Sequence, residues 1–113
     1  MSTDIGRQAE QAAAQYLQRL GHRILEQNWR TRWCEIDIIT IKSGVVYFVE
    51  AKYRRSDAFG GGLDYITPRK LQQMRFAAEF WLAEHPGVAR EYRLGAIEVT
   101  SEAFEVTAWL DDV

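Results

Sequence analysis

The sequence predicts an α/β fold, a mixed β-sheet of about five strands flanked by two helices. Three observations predict it. Two stretches, residues 4–20 and 68–85, carry apolar residues at helical spacing. Residues 34–41 and 45–51 are short runs of Ile, Val and aromatics either side of Lys42-Ser43-Gly44, which is a β-hairpin signal. Two more strand-like runs, residues 92–100 and 104–110, follow the second helix. A chain of 113 residues is long enough for one domain, residues 1–113, with one core.

The first helix can be capped by Thr3 or Asp4 and ended by Gly21. Ile5, Ala9, Ala12, Ala13, Tyr16, Leu17 and Leu20 form its apolar stripe, and Glu10 lies at the edge of that stripe. Residues 22–30 read as the first strand, through Ile24, Leu25 and Trp29. His22 reads as a surface residue, since no second histidine lies near it. Trp29 and Trp33 flank Arg30-Thr31-Arg32, a tight turn, and indoles beside arginines can stack on bases. The plainer reading packs the indoles and solvates the arginines. Cys34 reads as a packing residue.

The hairpin carries the chemistry. With a turn of two or four residues, Asp37 falls opposite Glu50 and Glu35 opposite Lys52, all on one face. Ile36, Ile38, Val49 and Ala51 then take the core face. Directly opposed side chains are about 4.5–5.5 Å apart at Cβ, and like charges there repel. A divalent cation would remove the repulsion, and oxygen-only ligands favour Mg²⁺ or Mn²⁺ over zinc. Lys52 points the same way and can hold an attacking water or a developing phosphate charge, the grouping that phosphodiester hydrolysis requires. The competing reading is an ordinary exposed hairpin face of mixed charge.

Beyond the hairpin, Arg54 and Arg55 alternate faces if the strand continues, so that one of them can contact a phosphate; the competing reading is a solvated strand end. Gly60, Gly61 and Gly62 make a loop without a phosphate-loop pattern. Thr67 caps the second helix and Pro68 opens it. Leu71, Met74, Ala78, Trp81 and Leu82 supply its core face, and Phe76 and Phe80 lie on another side, where a partner subunit could cover them. Lys70 sits in the first turn, where the helix dipole disfavours a cation, and is a candidate for phosphate contact.

Asp37 with Glu50-Ala51-Lys52 resembles the PD-(D/E)xK nuclease signature, with Ile36 in place of the proline. Several stretches together resemble the YraN-type family of small bacterial proteins. They are Gly6-x-x-Ala9-Glu10-x-x-Ala13, Gly21-His22, Asn28-Trp29-Arg30, Glu35-Ile36-Asp37, the run from Phe48 to Arg54, Phe59-Gly60 and Lys70. The resemblance implies a restriction-endonuclease-like core and a Mg²⁺- or Mn²⁺-dependent nuclease cleaving nucleic-acid phosphodiester bonds, junction DNA among the candidate substrates, with similarity to Holliday-junction resolvases. Asp37 and Glu50 would be direct metal ligands, with the Ala51 carbonyl as a third and Glu10 as a further member. Lys52 would position water, and Glu35 would orient or pair with Lys52. Arg30, Arg54, Arg55 and Lys70 would contact nucleic acid. A two-fold homodimer follows from the resolvase likeness. The sequence departs from the family pattern at Cys34, where glycine is usual, and at Leu94-Gly95-Ala96, which lacks an aspartate. Two other functions stand beside this one: a nucleic-acid-binding module without cleavage, and an interaction domain using Phe76 and Phe80.

One cysteine excludes an internal disulfide and a cysteine zinc cluster, and a reducing cytoplasm is the expected compartment. No apolar run approaches the roughly 20 residues that span a membrane, and no signal peptide is visible. A net charge of −2 argues against strong nonspecific DNA binding.

Overall fold

The computed structural model describes residues 3–55, 66–100 and 102–113. Its elements in chain order are α1 (Thr3–Arg19), β1 (Arg23–Arg30), β2 (Glu35–Lys42), β3 (Val45–Arg54), α2 (Pro68–Glu84), β4 (Glu91–Thr100) and β5 (Glu105–Leu110). The five strands form one sheet in the order β1-β2-β3-β4-β5. Every neighbouring pair is antiparallel except β3 and β4, which are parallel. A parallel neighbour needs a crossover, and α2 lies in the one between β3 and β4. This is the mixed α/β sheet with two helices that the sequence predicts.

The helices bury opposite faces. Ala9, Ala13 and Leu17 of α1 pack on Ile38, Tyr47, Val49, Ile97 and Val99. Met74, Ala77, Ala78 and Trp81 of α2 pack on Ile36, Ile39, Val46, Phe48 and Leu94. The α1 stripe is shorter than predicted, because Ile5 and Leu20 at its two ends are exposed. With both faces covered, β4 is buried continuously from Leu94 to Thr100, as a central strand with a parallel neighbour should be. Gly95 is there for close packing: a Cβ on it would stand 3.0 Å from the Trp109 ring and 3.2 Å from the Leu110 carbonyl oxygen. At the start of α2 the Thr67 hydroxyl accepts from the Lys70 amide at 3.1 Å, with Pro68 in the first turn.

Ser43 and Gly44 have φ of 52° and 80°, so the hairpin turn is the two-residue type whose twist suits antiparallel strands. Lys42 then pairs with Val45 and Ile38 with Val49, the predicted register. The β2–β3 ladder ends at that last pair. From there β2 continues beside β1, where Glu35 pairs with Arg30, and β3 continues beside β4, where Lys52 pairs with Glu98. The expected Glu35–Lys52 pairing therefore gives way to a fork.

Two further expectations are corrected. Ile36 joins the α2-side core and Ile38 the α1-side core, so strict alternation fails between them. The neighbouring strand is irregular at the same level: Asn28, between the partners of Ile38 and Ile36, has φ of 53°. His22 is buried, not on the surface. Its amide donates to the Leu17 carbonyl at 3.0 Å, which tucks it under the end of α1. Its Nδ1 lies 2.7 Å from the Thr40 hydroxyl, and its ring meets Tyr47 and Trp109 edge-on. Burial first, and then the charge of Lys42, lower its pKa. The cap side chains of Thr3 and Asp4, the glycines 60–62 and the turn at Ser101 lie outside the described residues.

Candidate functional site

Where β2 and β3 part, a cleft of about 560 Å³ opens beside α2. Glu35, Asp37, Glu50 and Lys70 form its charged side, and Trp33, Cys34, Met74 and Phe76 its apolar side. The fork explains how the carboxylates meet. With the ladder finished at Val49, the Ala51 amide donates to Asp37 Oδ2 at 2.8 Å. A side chain thus takes a bond that a backbone carbonyl would hold in a continuing ladder, and it fixes Asp37 at the start of Glu50-Ala51-Lys52.

The Asp37 carboxyl is raised from 3.8 to about 6. Burial is the largest cause. The Ala51 amide works against it, the negative charges of Glu50 and Glu35 add to it, and Lys70 opposes it. The Tyr53 phenol is also raised, by burial first and then by Asp37, Glu10 and Glu50. Tyr53 packs on the α1 side of the sheet. Glu10, from α1, thus acts on the same neighbourhood as Asp37 and Glu50, from the opposite face.

Lys70 Nζ lies 3.1 Å from Glu50 Oε2 and lines the cleft. Lys52 is exposed and stands outside the cleft lining. The lysine against the acidic pair therefore comes from α2, twenty residues on from Glu50. Arg54 Nε donates to Glu98 Oε2. Glu98 is 4% exposed and also accepts from the Thr107 hydroxyl at 2.8 Å, so Arg54 is tied into the sheet. Arg30 and Arg55 are exposed. Cys34 packs at the cleft wall, its Sγ 3.3 Å from the Thr31 hydroxyl.

Among the described residues no three His, Cys, Asp or Glu side chains are gathered as a metal-binding group. The donor set at the fork is two carboxylates, both hard oxygen donors. Such a set fits Mg²⁺, which keeps several waters and takes one or two protein carboxylates.

Sequence reasoning missed Tyr53, Glu98 and the cleft-lining amides of Gln72 and Gln73. Tyr53 was within reach: it follows Ala51 by two positions, so alternation puts both on the α1 face, where Glu10 lies. Glu98 carried no such signal, being one glutamate in an apolar run.

A five-stranded mixed sheet between two helices, with a carboxylate pair at a strand fork, defines a class of α/β domain. The chain belongs to Uncharacterised protein family UPF0102, whose model matches residues 9–101. It is 42% identical over 96 residues to a UPF0102 protein of Mycolicibacterium vanbaalenii, covering 85% of this chain and 79% of the relative. It is 36% identical over 102 residues to one of Syntrophomonas wolfei, covering 90% and 89%. A relative from Halorhodospira halophila is 44% identical over 85 residues, covering 75% and 70%. No helix among the described residues is long and apolar enough to cross a membrane.

Proposed function

We propose that this protein is a nuclease that hydrolyses nucleic-acid phosphodiester bonds with Mg²⁺ or Mn²⁺. The reading is carried by the Ala51–Asp37 bond, which fixes one carboxylate beside Glu50 at the fork of β2 and β3. Asp37 and Glu50 would hold the cation, with the Ala51 carbonyl as a third ligand. When bound, the cation supplies Lewis-acid polarisation of the phosphate and a more acidic water. In the metal-free protein Lys70 holds Glu50 through their 3.1 Å ion pair, and once displaced from it the ammonium would be offered to a phosphate oxygen. Lys52, exposed and outside the cleft lining, does not take the water-positioning role that the motif implies, and Glu35 adds negative charge to the cleft. Glu10 acts from the far face, beside Tyr53. Arg30 and Arg55 contact phosphates along the strand, while Arg54 serves mainly to hold Glu98. Binding is weak and salt-sensitive, because few cations are available on an acidic protein.

The Lys70–Glu50 pair also favours a second reading, a module that binds nucleic acid without cutting it, because an ammonium already occupies one carboxylate. One experiment separates the two. Labelled single-stranded, duplex and four-way-junction DNA are incubated with wild type, Asp37→Asn and Glu50→Gln, in Mg²⁺, Mn²⁺ or a chelator. The nuclease reading expects cleavage by wild type in metal and none by either variant. Binding without cleavage by wild type in both metals establishes the second reading instead.

A further inference from the structure

We infer that Trp33, Phe76 and Phe80 form a stacking platform for an unpaired nucleobase, so that the substrate presents a single-stranded segment to the cleft. The inference rests on the nuclease reading and adds to it the substrate class. Trp33 is 67% exposed and Phe76 53%, and they are the two aromatics among the exposed large apolar side chains described. Scattered exposed apolar residues need no explanation, but these two line the same cleft as Asp37 and Glu50.

The platform is anchored. Phe80 lies between the two exposed rings, 6.2 Å from Trp33 and 6.3 Å from Phe76, tilted against both. It also packs 6.1 Å from Trp29, which belongs to the α2-side core. The Arg32 guanidinium stands 5.4 Å from the Trp33 ring centroid, and a cation over an indole both orients the ring and leaves N–H donors for a phosphate. Gln72 and Gln73 are exposed on α2 and line the same cleft, with donors and acceptors for a base edge.

A nucleotide matches this surface in each part: a π face for the aromatic wall, a polar edge for the amides, and a phosphate for Lys70 and the proposed cation. Bases inside a duplex are already stacked, so only an unpaired or extruded base can use the platform. A second copy of the chain is the other occupant, through the same phenylalanines. It fits less well, because Glu35, Asp37 and Glu50 share the cleft, and interface cores are depleted of charge.

The test uses the full chain with Ca²⁺ in place of Mg²⁺. Fluorescence anisotropy compares a short DNA strand with an abasic strand of equal length and phosphate charge. Wild type should bind the base-bearing strand about ten-fold more tightly. Trp33→Ala and Phe76→Ala should each lower that ratio toward one, and Trp33→Phe should keep most of it. Both positions are exposed, so the variants should fold. A ratio of one in wild type, or a ratio unmoved in both alanine variants, overturns the platform. So does a wild-type dimer that Trp33→Ala converts to monomer, since the face would then be covered by a second copy. If metal-dependent cleavage persists and depends on Asp37 in those cases, the nuclease reading survives the loss of the platform. Absence of any binding or cleavage by wild type overturns both.

Discussion

Replacing Asp37 by Asn should stabilise the metal-free protein at neutral pH and leave it unchanged at pH 3. The Asp37 carboxyl titrates near 6 in the fold against an ordinary value of 3.8. At 1.36 kcal/mol per pH unit, that difference is a destabilisation of about 3 kcal/mol once the group is ionised. Partial exposure to the open cleft and the loss of a charged acceptor for Ala51 reduce the gain from neutralising it to about 1–2 kcal/mol. Asparagine keeps a carbonyl oxygen for the Ala51 amide. The sign follows from proton counts. Below about 3.8 the carboxyl is protonated in both folded and unfolded chains and contributes nothing. Between 3.8 and 6 the folded state holds more protons, so stability falls as pH rises, and above 6 the full cost persists. Thermal unfolding in a chelator should therefore show Asp37→Asn melting about 3–8 °C above wild type at pH 7.5 and level with it at pH 3. A variant that melts lower at pH 7.5, or a difference independent of pH, would refute the argument and make Asp37 a structural acceptor.

Arg54→Ala should cost about 2 kcal/mol in denaturant unfolding, less than a fully buried pair because Thr107 still serves Glu98; adding Glu98→Gln should recover part of it, and equal losses in both variants would contradict the pairing. Gly95→Ala should cost about 1–3 kcal/mol, because its Cβ would meet the Trp109 ring at 3.0 Å; an unchanged midpoint would mean that β5 yields freely. Trp81→Phe should lose about 1–2 kcal/mol by removing the 2.6 Å indole bond to Glu26, read in the same assay, and a neutral result would show that water replaces that bond at no cost.

Patterns with a short period were legible in the sequence. Alternation and a two-residue turn placed Ile38 opposite Val49, and Thr67-Pro68 marked the start of α2. These follow from bonds between near neighbours along the chain. Contacts that bring distant positions together were not legible. Nothing local links Lys70 to Glu50, Arg54 to Glu98 or Trp81 to Glu26, since each depends on how elements stack. The fork was hidden for a related reason. A hairpin pattern states which residues can pair, and the point where pairing stops is set by β1 and β4 drawing the two strands apart. His22 was misplaced because its burial depends on Tyr47 and Trp109, which reach it from β3 and β5.

The most direct test of the central claim is a crystal soaked in Mn²⁺ and measured for anomalous scattering. A peak is expected within bonding distance of the Asp37 and Glu50 carboxylates, with Lys70 displaced from Glu50, and no peak in Asp37→Asn. Well-occupied Mn²⁺ elsewhere, with the Lys70–Glu50 pair intact and the fork empty, would contradict it.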